Sequence, residues 1–166
     1  MFRKNLTKQQ GFLMPLAIFI VVVMGLFALV ISRNSIQSAT SVTLEFVSTQ
    51  AFYAAESGAQ RGMQTLFFPT APANNTRQQV DGRCVGLNTT HTFTVPGLNK
   101  CSAEVTCSCK FQDDSSCSPI TAANYTVAAL PAKATSYYTV TSVARCGSGN
   151  LRAVRTIDAG AFLMQE

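Results

Sequence analysis

The sequence predicts an α+β protein in which one long N-terminal helix packs on a small antiparallel sheet that disulfides hold together. Three observations lead to this prediction. An uncharged apolar run covers residues 12–31, a helical pattern continues from there to residue 68, and the rest combines alternating strand patterns with all six cysteines. The chain of 166 residues is long enough for one small domain beside such a helix.

Four segments follow from these patterns. Residues 1–11 form a basic leader, residues 12–31 a transmembrane helix, residues 32–68 its continuation into a globular head, and residues 69–166 the disulfide-bearing head itself. The apolar run has about 20 residues, enough for a helix to cross a hydrocarbon core of about 30 Å. The leader has three basic and no acidic residues, so its removal lowers the net charge from +5 to +2. This asymmetry predicts a cytoplasmic N-terminus.

The leader differs from a conventional signal peptide. Such a peptide has a shorter apolar stretch and then a small-residue cleavage motif, whereas this run ends in Ser-Arg-Asn-Ser at residues 32–35. Basic and polar residues precede Gly11, and Phe12 opens the apolar run, an order that resembles a prepilin (class III) leader. The resemblance implies that a prepilin peptidase cuts between Gly11 and Phe12 and that Phe12 is then N-methylated. The alternative is an ordinary single-pass anchor with a chance Gly-Phe pair.

Leu16 departs from the pilin pattern. Most pilins have a glutamate at the fifth residue of the mature chain, where this sequence has Leu16. A carboxylate in so apolar a setting is tolerated because it meets the charged amino terminus of a neighbouring subunit. Minor pilins and pseudopilins at a fibre tip often lack this acid. The resemblance therefore implies a minor, tip-proximal subunit rather than the major one.

The helical pattern of residues 32–68 has apolar or small residues three or four positions apart and no proline before Pro69. Glu56 within it is predicted to be solvated or to pair with Arg61. Two rows of small residues predict close packing against the head's sheet or against a neighbouring subunit, and ordinary core packing explains them equally well. One row is Ala51, Ala55 and Ala59, and the adjacent row is Ala54, Gly58 and Gly62.

The head is predicted to begin with a loop at residues 69–79 and to continue as strands. Residues 136–146 alternate, residues 147–150 form a turn, and residues 151–158 return as the second strand of a hairpin. Weaker strand patterns cover residues 91–95, 103–111 and 124–130. One face of the first hairpin strand is predicted to contain Tyr138, Val140, Ser142 and Ala144.

All six cysteines follow the apolar run, which predicts disulfides in an oxidising compartment. Fifteen pairings are possible, and the spacing does not choose among them. Cys107 and Cys109 point the same way on a strand, so we expect each to pair elsewhere. The alternative is a metal knuckle built on these two residues with Cys101 and Cys117, but its spacings fit no standard zinc pattern and export disfavours it. The candidates are Cys84, Cys101, Cys107, Cys109, Cys117 and Cys146.

The sequence contains no catalytic constellation. His91 is the only histidine, which leaves little material for a catalytic triad or a two-histidine metal site, and it is predicted to be an exposed strand residue. Asp113 and Asp114 are predicted to form a solvated turn rather than a calcium loop. Basic residues beyond the leader are scattered, which argues against nucleic-acid binding. We therefore expect no enzymatic activity, no cofactor, no metal and no nucleic-acid partner.

A resemblance to a known family rests on the leader, on Leu16 and on residues 51–62 (AFYAAESGAQRG). These features resemble type IV minor pilins of the PilX and MshP type, the latter belonging to the mannose-sensitive haemagglutinin (MSHA) pilus. The resemblance covers residues 8–68 and returns weakly at residues 139–149. It does not extend to residues 70–130, whose interpretation rests on physical chemistry alone.

The resemblance implies a structural role in pilus assembly. The expected location is the bacterial inner membrane, with a periplasmic head, and later the surface pilus. The expected partners are other minor and major pilins, the inner-membrane assembly platform and the prepilin peptidase. One alternative is a minor pseudopilin of a type II secretion system, which has the same leader. Another is a tip adhesin that binds a surface ligand through residues 84–117.

Overall fold

The computed structural model describes residues 13–69, 76–129 and 132–164, and the predicted cleavage and methylation site at Gly11 and Phe12 lies outside them. The chain divides into two compact units, residues 1–42 and residues 43–166. The helices and strands, in chain order, are α1 (Leu13–Phe67), α2 (Arg77–Val85), β1 (Asn88–Thr92), β2 (Cys101–Phe111), β3 (Thr135–Ser148) and β4 (Leu151–Met164). Two short 3₁₀ turns, Ala122–Tyr125 and Val127–Ala129, precede β3.

Helix α1 confirms the predicted long helix, and its last residue, Phe67, lies one position before the predicted end. Its 55 residues correspond to a length of about 82 Å. The only proline inside its described residues, Pro15, lies in the first described turn. The amide of Phe68 still bonds to the carbonyl oxygen of Gln64 at 2.8 Å, and Pro69 then ends the helix because it cannot continue the ladder.

The four strands form one antiparallel sheet in the order β1-β2-β3-β4. The predicted hairpin is confirmed, and β4 continues six residues beyond its predicted end at Asp158. Gly149, with φ of +58°, is the first residue of the two-residue turn between Ser148 and Leu151, a position where a type II′ turn requires glycine. The fold is therefore α+β, with α1 residues from Val47 onward packed on the sheet.

Three predictions for the head are wrong in detail. The predicted strand at residues 124–130 is not present in its described part, residues 124–129, because Tyr125 turns its hydroxyl towards Asp81 and the chain forms 3₁₀ turns there. The first strand lies at Asn88–Thr92 rather than at residues 91–95, since the chain turns at Pro96-Gly97, where Gly97 has φ of +92°. Helix α2 begins inside the predicted loop at residues 69–79.

The core lies between the helices and one face of the sheet. The predicted grouping of Tyr138, Val140, Ser142 and Ala144 on one face of β3 is confirmed, and the structure shows that this face is the buried one. Asp81 and Arg77 of α2 are also buried. One cluster contains Leu66, Val80, Cys84, Leu87, Val105, Cys109, Phe111, Cys117, Tyr138 and Val140. The other contains Val47, Ala51, Ala54, Ala55, Cys101, Ala103, Ala144 and Cys146.

Candidate functional site

The apolar first part of α1 exposes its side chains to the surroundings. Met14 is 79 % exposed, Phe19 65 % and Ile31 67 %, and Leu16, at the position of the pilin glutamate, is 44 % exposed. By length and composition this helix could cross a membrane. Exposed apolar side chains over five turns would be costly in water and are favourable in lipid or against other apolar helices.

The two rows of small residues lie against the sheet. All six residues are buried. A Cβ added to Gly58 would lie 2.9 Å from the Cβ of Ala103, and one added to Gly62 would lie 2.7 Å from a methyl group of Val105. The helix backbone therefore approaches β2 and β3 too closely for a larger residue. This face of α1 is occupied within the head, so a neighbouring subunit would have to use another face.

An outward face of α1 offers a second apolar surface, which the sequence analysis did not single out. Phe46 is 62 % exposed, Phe52 48 % and Tyr53 56 %. The rings of Phe52 and Tyr53 meet edge to face, with their centroids 5.8 Å apart. The sequence contains one signal for this face, because the seven-residue spacing of Phe46 and Tyr53 places both on one side of a helix. We call Phe46, Phe52 and Tyr53 the outward aromatic face.

Three disulfides hold the head together, as the cysteine count predicted. Cys84 of α2 pairs with Cys107 of β2, Cys109 pairs with Cys117, and Cys101 of β2 pairs with Cys146 of β3. Cys107 and Cys109 thus pair with other cysteines, as expected for residues on one side of a strand. The alternative metal knuckle is wrong, because no cysteine is free to act as a thiolate ligand.

Asp81 is the most connected buried polar group of the head, and sequence reasoning missed it. Its side chain is fully buried on α2. One carboxylate oxygen, Oδ1, accepts a hydrogen bond from Tyr138 Oη at 2.6 Å. The other, Oδ2, accepts bonds from Tyr125 Oη at 2.8 Å and Ser136 Oγ at 3.0 Å. A buried carboxylate is stable only with such donors, so this cluster fixes α2 and the 3₁₀ segment on β3.

The Asp81 cluster also contains two perturbed tyrosines and Arg77. Burial, and then the hydrogen bond to Asp81, raise the pKa of Tyr138 and of Tyr125 well above the ordinary value. Arg77 lies over the rings of Phe111 and Tyr125, with its guanidinium carbon 5.7 and 5.0 Å from their centroids. Asp81 also lies near the sulfurs of Cys109 and Cys117, but both are in a disulfide and offer no thiolate to a metal. The cluster is a structural polar core.

The remaining candidate residues lie apart from one another. His91 is half-buried on β1, and burial, followed by the nearby charge of Arg61, lowers its pKa. Asp113 accepts bonds from the amide and hydroxyl of Ser115, so residues 113–115 form the predicted turn. Among the described residues, Glu56 makes no ion pair with Arg61 and is half-buried beside β4. The structure brings together the small-residue rows, not these polar residues.

Comparison with known proteins does not extend these observations. No protein-family model, curated protein or solved structure matches the chain.

Proposed function

We propose that this chain is a minor pilin of a type IV pilus of the MSHA kind, with a structural role in assembly close to the tip. The observation that carries the proposal is the uninterrupted helix α1. Its first part is apolar and exposed, whereas its last part is packed on a disulfide-bonded sheet. A subunit of this kind can be held in the inner membrane and later transfer its apolar helix to the interior of a fibre without refolding its head.

The disulfides support a periplasmic head, because such bonds persist in oxidising compartments. The outward aromatic face supports contact with sibling subunits. It leaves large apolar side chains exposed on α1 while the opposite face is filled by the sheet. Leu16 supports a minor position, since the chain lacks the carboxylate that would pair with a neighbour's amino terminus. Under this proposal the partners are other minor and major pilins, the assembly platform and the prepilin peptidase.

Mass spectrometry of the mature N-terminus tests the proposal. Protein from cells with an active prepilin peptidase should begin at an N-methylated Phe12, and protein from peptidase-deficient cells should retain residues 1–11. A mature chain that begins at Met1, or beyond Ile31, in peptidase-active cells would contradict the proposal.

Deletion of the gene separates the assembly role from its alternatives. An assembly subunit is expected to leave few or no surface pili, with piliation restored by the intact gene. Normal pilus numbers with lost attachment would support a tip adhesin. Normal piliation with lost export of secreted proteins would support a type II secretion pseudopilin.

A further inference from the structure

The two edges of the sheet differ in length and protection. Strand β1, at one edge, has five residues of the polar sequence NTTHT. Strand β4, at the other edge, has fourteen, and its residues 159–164 (AGAFLM) carry no charge. Proteins normally protect long edges with charges, prolines, bulges or a covering segment, because unpaired backbone groups invite another strand. No described strand lies beyond β4.

The register identifies which residues of β4 direct their backbone groups outward. The amide of Phe93 bonds to the carbonyl of Cys101 at 3.1 Å, so Cys101 directs its backbone groups away from β3. Its Cα lies only 4.2 Å from that of Cys146, a distance typical of a pair without hydrogen bonds. Cys146 therefore bonds to its other neighbour, Ala153. By alternation, the odd-numbered residues of β4 bond to β3, and the even-numbered residues 152–164 present free N–H and C=O groups at the edge.

An apolar groove lies beside this edge, on the side of the sheet that faces α1. Its volume is about 520 Å³. Ile157 and Ala159 of β4 form one wall, and Met63 and Phe67 of α1 are part of the other, which also contains Glu56, Ala59, Gln60, Gln64 and Phe68. A strand added to β4 would lie about 4.8 Å further out and would direct alternate side chains into this groove.

We infer that β4 accepts a strand from a different polypeptide, an extended uncharged segment with bulky apolar residues at alternate positions. An extended backbone complements the outward groups of β4, and apolar side chains suit the part of the groove formed by Met63, Phe67 and Ile157. A second copy that paired through its own β4 would direct the odd-numbered residues of that strand to this side of the sheet, and of the six from Ala153 to Leu163 three are alanines and one is Arg155. Such a strand would fill an apolar groove poorly and forfeit contact energy. The inference goes beyond the proposed function and does not depend on it.

Residue-specific hydrogen exchange on the oxidised full chain in detergent micelles tests the inference. The probe is the blocked peptide Lys-Thr-Val-Thr-Leu-Thr-Ile-Lys, which has apolar residues at alternate positions. At saturating peptide, the even-numbered amides of β4 around Thr156 to Phe162 should exchange more slowly by about tenfold or more. The odd-numbered amides, already bonded to β3, should not change. A peptide of the same composition with its three apolar residues contiguous should protect nothing.

Variants of β4 sharpen the test. Thr156→Pro removes one outward N–H and leaves the hydrogen bonds between β3 and β4 intact, so it should abolish the protection of β4 amides by the peptide. Thr156→Val keeps the N–H and should preserve this protection. Ala159→Glu places a carboxylate in the groove without removing an edge donor, and it should weaken peptide binding independently of any effect of proline.

Three results would overturn the inference. The first is an unchanged exchange rate of the even-numbered amides at saturating peptide, and the second is equal protection by the rearranged peptide. The third is protection of the same amides without peptide that grows with protein concentration, which would show that a second copy covers the edge.

Discussion

The same glycine-to-alanine change should have opposite effects on stability at two helical positions of the head. Gly62 of α1 faces the sheet, and a Cβ there would lie 2.7 Å from Val105 and 2.8 Å from Val140. Gly82 of α2 faces open space, with nothing within 4 Å of an added Cβ. Because the two substitutions are chemically identical, their difference measures how closely α1 approaches the sheet.

The magnitude follows from two opposing effects. Alanine in place of glycine inside a helix stabilises it by about 0.5–1 kcal/mol, because the unfolded chain loses less freedom. At Gly62 the added methyl must also push two valine side chains out to ordinary contact distances of about 3.5–4.0 Å, and overpacking of this kind costs about 1–3 kcal/mol. We therefore expect Gly82→Ala to gain about 0.5–1 kcal/mol and Gly62→Ala to lose about 1–2 kcal/mol.

Urea unfolding of the oxidised full chain in micelles measures this difference. The near-ultraviolet circular dichroism of the tyrosines reports on the head, which contains no tryptophan. The midpoint should move in opposite directions for the two variants while the slope stays constant. An equal gain in stability at both positions would refute the close approach of α1 to β2 and β3.

Three further predictions concern the polar core and the disulfides. Asp81→Asn removes the charge from the acceptor of three hydroxyl groups, two of them buried, so urea unfolding should show a loss of about 3 kcal/mol. Because the pKa of Tyr138 is raised in the folded protein, the unfolded chain loses the tyrosine proton first as the pH rises above about 10. The free energy of unfolding should therefore fall above this pH, by up to about 1.4 kcal/mol per pH unit for each such tyrosine. Unfolding at several alkaline pH values should show a shallower fall in Tyr138→Phe. Joint replacement of Cys101 and Cys146 by serine opens a loop of 45 residues and should cost about 4 kcal/mol by chain entropy, compared with about 2.5 kcal/mol for the disulfide that closes 8 residues. Equal losses of free energy for these two disulfides would contradict the loop-length argument.

The long helix and the β3–β4 hairpin were predictable because their signals are local. The helix depends on a pattern of apolar and small residues between two boundaries that the chain itself marks, with Pro69 at the end. The hairpin depends on strict alternation around a turn that contains Gly149. In both cases neighbouring residues in sequence supply most of the information, so the structure departs from the prediction mainly at the ends.

The sequence contains no comparably local pattern that predicts helix α2. It has nine residues, too few to be stable alone, and its apolar contribution to the core is little more than Val80 and Cys84. Its helical state depends on contacts made after folding, including the disulfide from Cys84 to β2. The strand prediction for residues 124–130 was wrong for a related reason. Tyr125 is a residue type that favours strands, but its hydroxyl donates a hydrogen bond to the distant Asp81.

Asp81 shows why the polar core could not be found by sequence reasoning. In the stretch Arg-Gln-Gln-Val-Asp-Gly-Arg it is one acid among polar neighbours, and such residues are usually solvated. Its three donors come from residues 44, 55 and 57 positions away, so no local pattern encodes them. Burial of that carboxylate is unfavourable until all three hydroxyls are in place, which couples α2, the 3₁₀ segment and β3 into one cooperative unit. The head can therefore keep a fixed arrangement around Asp81 whatever surrounds the exposed apolar residues of α1.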